Sequence, residues 1–420
     1  MKLRCFLWLL LTSFFPGVYS GSIAQEKSND LHTFYYSTVE FVETPLSSIK
    51  GSVPLNKEEA MKRNHYRFSY NEKHQLVSVS FFNGKTPRGP NHTASLFTLA
   101  HFMKFEYREE SETISFFNTQ GEPDEVLGNC SLFVYTYNDL GFRNRLYFLN
   151  KNNQRITNSW GIYEYQWEYL DDGSIIENRY DEQGNQVSIR PGFEFYRLRL
   201  YFNPSGHIAL MQNIDENGNL VENSSGASQD RITTNSQGNF LEWNVLNNNN
   251  ELENGNGPNV AIGKQEFNVY GYEVALEHQD EKSQVMASAY GIYMSKTKFD
   301  PFGNIQERTF YNAEGNPAKH NNAGYHKLSL TWDEQGNKRK SLRYFDVVGN
   351  PCIHATRGYH GVRYDYDDQG RISRISYLST SDELTNRKDN GRAYSVYKYG
   401  KDDGEIQVVH FDTSNSELKQ

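Results

Sequence analysis

His320 and His354 lie 34 residues apart, and so do His326 and His360. In a repetitive chain equal spacing brings like positions side by side, and four imidazoles in one place could ligate a transition metal. That chemistry defines a metal-binding or enzymatic alternative. The plainer account is that two neighbouring units share residues by descent, and it calls for no metal and no cofactor. Asp300, Asp333 and Asp367 also recur at one position. Ca2+ needs about six to eight oxygens from a compact loop, and each site here offers one or two carboxylates, so turn formation explains these residues better. Tyr163, Tyr165, Trp167 and Tyr169 alternate on one face of an extended segment. They could stack on sugar rings or grip a partner chain, but such a ladder equally holds a sheet together. No Gly-x-Ser-x-Gly elbow, His-Glu-x-x-His pair or phosphate-binding glycine loop is present. Asp171-Asp172 and Asp402-Asp403 fall on opposite strand faces or in turns. No catalytic residue is assigned, and the chain is not expected to be an enzyme.

The elements that would position these residues are repeats. An aromatic-Asp-x-x-Gly pattern recurs as Phe299-Asp300-Pro301-Phe302-Gly303, Trp332-Asp333-Glu334-Gln335-Gly336 and Tyr366-Asp367-Asp368-Gln369-Gly370. The glycines at 303, 336, 370 and 404 are spaced 33 or 34 residues apart, and Gly141, Gly173, Gly206 and Gly238 continue the series backward at 32 or 33. One register near 271 lacks its glycine on this alignment, with a turn placed instead around His278-Gln279-Asp280-Glu281. A second turn follows within each unit, as in Tyr311-Asn312-Ala313-Glu314-Gly315 and Tyr180-Asp181-Glu182-Gln183-Gly184. An Asp or Asn opening a turn accepts a backbone hydrogen bond two residues on, and glycine supplies the positive φ. Between turns, polar and apolar residues alternate, as in His326, Leu328, Leu330 and Trp332, which reads as half-buried antiparallel strand.

The expected fold is therefore all-β, with tandem antiparallel hairpin repeats of about 33 residues forming an elongated or curling sheet. Residues 1–24 read as a signal peptide, with Lys2 and Arg4 before the apolar run Phe6–Phe15. Residues 25–64 form an N-terminal leader or cap, 65–411 an array of about ten units, and 412–420 a disordered tail. Short helices are expected within 55–63 and 92–103, and the stretch 247–257 (NNNNELENGNG) is expected to be a mobile excursion.

Without Lys2 and Arg4, 41 basic residues face 52 acidic ones, for a net of about −11. No basic block is present, which argues against nucleic acid and anionic lipid. After the signal no apolar stretch is long enough to span a membrane. The location implied is exported, periplasmic or extracellular. Cys130 and Cys352 remain after the signal, too few for a disulfide framework. An extended array holds them apart, so two unpaired thiols are expected. The acceptor patterns at Asn91, Asn129 and Asn223 are chance matches in an Asn-rich chain.

At Tyr180-Asp181-Glu182-Gln183-Gly184-Asn185 and Tyr366-Asp367-Asp368-Gln369-Gly370-Arg371 the chain resembles the bacterial YD-repeat (RHS-type) proteins and related exported aromatic-glycine β-repeat proteins. The resemblance extends over the repeat array alone, with a longer period and no toxin domain. It implies an extended, curling antiparallel sheet. The leading functional expectation is an exported structural or ligand-binding protein engaging a protein or glycan partner. The alternatives are the histidine-based metal or enzymatic module, and a component of a toxin or secretion system.

Overall fold

The computed structural model describes residues 32–89, 95–400 and 406–418. The signal segment, the Asn91 acceptor pattern and the Gly404 turn lie outside the described residues. The described chain forms one antiparallel sheet of 27 strands. At its start His32–Val39 pairs with Gly51–Leu55 on one side and Asn64–Tyr70 on the other. From Asn64–Tyr70 onward the sheet is a meander, running hairpin by hairpin to Ile406–Phe411. Among the described residues the single helix is Lys57–Ala60, started by a capping box between Asn56 and Glu59. The second expected helix is absent from its described part, which leads instead into the strand Phe102–Tyr107.

Most of the described hairpins are closed by one kind of five-residue turn. In Asp300–Asn304 the Asp300 carboxylate accepts from the N–H groups of Phe302 at 2.9 Å and Asn304 at 2.8 Å. Gly303 donates to the Asp300 carbonyl at 3.0 Å with φ +89°. Just before the turn the strand register slips, between Lys298/Phe299, Thr331/Trp332 and Asp365/Tyr366 among others. Such a bulge bends the strand and adds right-handed twist. Bulges of this kind recur in many of the hairpins and favour a steady curl of the sheet.

Three expectations are corrected here. The register near 271 does have its glycine: Gly271 donates to the Asn268 carbonyl at 2.9 Å, with φ +73°. Asn268 replaces the usual Asp and accepts from Tyr270 and Tyr272, while the Asp280 turn belongs to the second series. The Asn-rich stretch is not an excursion. Asn247 opens an ordinary second turn, and Asn250 takes the glycine place at φ +63°. The tail from 412 also turns regularly at Asp412–Ser416, then pairs Glu417–Leu418 on His410–Phe411.

The curl returns on itself. Ser37 donates to the Tyr270 carbonyl and Ser52 to the Gln237 carbonyl. Asn64 meets Asn304, and Asn83 meets Gln335 and Asn337. Strands near the start thus rest on hairpin turns 185 to 254 residues later. They meet through side chains and turns and do not pair strand to strand, so the sheet stays open. Its concave face holds the apolar core. Phe116, Phe133 and Phe148 form an edge-to-face column with centroids 4.9 and 4.8 Å apart, and Phe195, Leu198 and Leu200 form a second buried cluster in later units.

Candidate binding site inside the curl

Residues 40–50, between the first two strands, form a strap across the inside of the curl. The Pro45 carbonyl accepts from Tyr135 Oη and Arg143, both at 3.1 Å, and the Leu46 carbonyl accepts from Arg143 at 3.1 Å. Phe41 N–H donates to the Gly238 carbonyl at 2.9 Å, and the Phe41 ring stacks on Phe240 with centroids 4.3 Å apart. Glu40 meets His207 Nε2 at 3.0 Å, Thr44 donates to Glu177, and Glu43 pairs with Arg190. An extended peptide is thereby gripped by several repeat units at once.

Beneath the strap lie buried charges. Glu177 accepts from Trp167 Nε1 at 2.8 Å and from Arg179 at 2.5 Å, and both charged side chains are fully buried. Arg179 also donates to the Phe195 and Tyr196 carbonyls. Arg143 forms a forked pair with Glu112 at 2.7 Å and lies over the Tyr135 ring. Asp230, 5% exposed, accepts from Asn256 at 2.9 Å, and burial pushes its carboxyl up to about 7.

Cavities flank the strap. One of about 490 Å3 lies among Glu40, Lys50, Tyr137, Phe142 and His207. Another of about 310 Å3 is walled by Phe41, Phe240, Trp243 and Tyr290 over Asp230 and Arg190. A third of about 200 Å3 shares Phe41, Glu43, Arg190 and Phe240 with it.

The aromatic stripe faces this interior. Tyr165 and Trp167 are buried and stack at 5.8 Å, and Tyr135 stacks on Trp167. Tyr169 donates to the Arg143 carbonyl at 3.0 Å, while Tyr163 sits under the Arg155 guanidinium. Glu177 and Arg179 stand in no motif of the sequence, although the Gly173 turn places them directly opposite Trp167 and Tyr165.

The four histidines hold loops. His320 and His354 open the third turn of their units, each Nδ1 accepting backbone N–H groups two or three residues on. His354 packs among Tyr325, Tyr344 and Tyr359, and burial, aided by Arg357 and His320, holds its pKa down at about 4. His326 Nδ1 bonds the Ala318 carbonyl at 2.9 Å, and His360 Nδ1 the Cys352 carbonyl at 3.1 Å. Among the described residues no group of three His, Cys, Asp or Glu side chains is placed to hold a metal ion. The turn aspartates have ordinary turn geometry, and the neighbouring Asn185 amide keeps Asp181 below the usual carboxylate range. The described turn glycines Gly173, Gly206, Gly238, Gly303, Gly336 and Gly370 all have positive φ.

These features define a curled β-meander repeat protein with an internal strap. No protein-family profile matches the chain, and no curated protein matches it. Among solved structures it is similar to TcdB2-TccC3 without its hypervariable C-terminal region, with 9% identity over 83% of this chain and a TM-score of 0.30. The chain spans about a fifth of that structure's length (20%). It is also similar to a porin-like protein from Bacteroides uniformis, with 9% identity, 90% of this chain and 94% of that one covered, and a TM-score of 0.19. Similarities this low carry no argument about function. Among the described residues no helix is long and apolar enough to cross a membrane.

Proposed function

We propose that this chain is an exported, non-catalytic scaffold that binds an extended polypeptide against the concave face of its curled sheet. One observation carries the reading: the protein's own residues 40–50 already lie there, with backbone groups of Phe41, Pro45 and Leu46 bonded to distant repeats. Backbone recognition along a groove, with pockets for alternate side chains, is how extended peptides are commonly held. The cavities beside the strap supply such pockets. The non-catalytic reading is supported by the four histidines, whose bonded ring nitrogens all serve the backbone. Export rests on the basic and apolar start of the sequence.

The test is binding of the purified processed chain to an array of unstructured ten-residue peptides beside an array of neutral glycans, followed by anisotropy titration of the hits. Saturable peptide binding, competed by a peptide of residues 39–50, is expected. Binding to glycans alone would overturn the reading.

A further inference from the structure

The pocket of about 310 Å3 beside the strap combines aromatic walls with one incompletely paired carboxylate. Phe41 and Phe240 stack, and Phe240 meets Trp243 with centroids 5.6 Å apart. Tyr290, 56% exposed, stands at the rim, where a Cβ on Gly257 would lie 2.8 Å from its hydroxyl and 3.2 Å from the Gly192 carbonyl. A side chain on Gly257 would therefore crowd this mouth.

Charge decides what such a pocket takes. Glu43 and Asp230 face one cation, Arg190, and Arg190 is already paired with Glu43 while lying over the Phe193 ring at 4.7 Å. Asp230 therefore shares a single guanidinium with Glu43, and the pocket holds one negative charge in excess. The one hydrogen-bond donor to Asp230 among the described residues is the Asn256 amide, on Oδ1 at 2.9 Å. Asn256 is itself fixed by Asn223 at 2.8 Å and by Ser225 at 2.9 Å. Oδ2 has no hydrogen-bond donor among the described residues, and Asp230 lines the cavity. A guanidinium seeks both oxygens of a carboxylate, whereas an ammonium is a point charge that one oxygen satisfies. Aromatic faces around it add cation–π attraction, strongest for Trp. A neutral sugar would use the rings but would leave the carboxylate charge unanswered.

We propose that this pocket binds a single alkylammonium group, the lysine side chain of a bound polypeptide, with Asp230 as its counter-ion and Trp243, Phe240 and Phe41 around its stem. The lysine assignment rests on the polypeptide-binding reading above, whereas the ammonium site itself does not.

Calorimetric titration of the processed chain at pH 8 with n-butylammonium chloride tests the site, with 1-butanol and glucose as neutral probes. Saturable butylammonium binding is expected, at least tenfold tighter than 1-butanol. Asp230→Asn keeps the shape and removes the charge, so it should weaken butylammonium at least tenfold while still unfolding in one cooperative transition. Equal binding of butanol, preference for glucose, or no saturable binding to the wild-type chain would overturn the proposal, whether or not the variant folds. Peptide binding that persists without regard to lysine would overturn the pocket assignment and leave the scaffold reading intact. Butylammonium binding without any peptide binding would do the reverse.

Discussion

Asn64 and Asn304, 240 residues apart in the chain, are joined amide to amide at 2.9 Å, and Asn64 N–H donates to the Phe302 carbonyl at 2.8 Å. Both side chains are buried. This pair seats the beginning of the sheet on a hairpin turn several units later and turns a ribbon into a coil. Arg88 repeats the device one unit on, donating to the Gly336 carbonyl at 2.6 Å.

Asn64→Ala leaves the Asn304 amide short of a buried partner and should cost about 1–3 kcal/mol. The double variant with Asn304→Ala should cost less than the sum of the two singles. Chemical denaturation of the four proteins measures the coupling. A fully additive result would mean that the coil contact is absent in solution, and a rod-like scattering profile for the wild type would agree with that.

How much of this was legible follows from what each feature depends on. The turns were, because Asp-x-x-Gly chemistry is local: the geometry at Asp300, Asp367 and Asp181 is the one their residue types demand. Gly271 escaped because Asn268-Val269-Tyr270 keeps the turn's hydrogen bonds while discarding its usual letters. The strap escaped for a different reason. Residues 40–50 do not repeat, and the parts of the sheet that hold them are distant in sequence, as with Ser95 against Val42 and Tyr135 against Pro45, so no periodicity announces them. The histidine register was visible but its chemistry was not. An imidazole Nδ1 at positions 320 and 354 accepts backbone N–H groups much as an Asx oxygen does, which no spacing rule distinguishes from metal ligation.

Glu177 anchors the strap to the sheet through Thr44 and balances the buried Arg179. Glu177→Ala should therefore lose about 3–5 kcal/mol, because it strands a guanidinium in the interior. Thr44→Val removes one hydrogen bond and should lose about 1 kcal/mol. Urea unfolding midpoints compare the two, and similar losses would show that the Glu177–Arg179 pair is not buried in solution.

Asp230 gives stability an unusual pH dependence. Burial raises its carboxyl to about 7, with Arg190 opposing and Asn256 bonded to it. Between about pH 4 and 7 the unfolded chain has released a proton that the folded chain retains, so this group's contribution falls as pH rises. The full effect is up to about 4 kcal/mol. Asp230→Asn abolishes it, so the variant should gain stability on the wild type from pH 4.5 to pH 8. An unchanged difference across that range would place the Asp230 carboxyl in a solvated setting.

Gly184 and Gly271 separate backbone strain from packing. Both have positive φ, 83° and 73°. A Cβ on Gly184 would meet nothing within 4 Å, whereas one on Gly271 would lie 2.6 Å from the Thr38 methyl and 3.1 Å from Val53. Gly184→Ala should cost about 1–2 kcal/mol from backbone conformation alone. Gly271→Ala adds displacement of the first strands and should lower the melting temperature further. Equal shifts would mean that the curl does not bring Thr38 onto this turn.

The two cysteines report on the coil from chemistry alone. Cys130 is buried in the apolar cluster with Phe116 and Phe133, and Cys352 packs into a separate cluster with Tyr344 and Tyr359. Neither is bonded to the other. Burial pushes the Cys130 thiol up to about 12, and burial likewise raises Cys352, which is partly exposed. The thiolate is the reactive form, so at pH 8 Cys130 should be silent toward a thiol reagent while Cys352 reacts slowly. Unfolding should release both at once. Because the clusters belong to different stretches of the coil, an oxidising compartment should not join them, and the intact mass should show no loss of two hydrogens. A native Cys130–Cys352 bond would require their Cα atoms within about 7 Å, an approach that would merge the two clusters and replace the open coil with a closed shell.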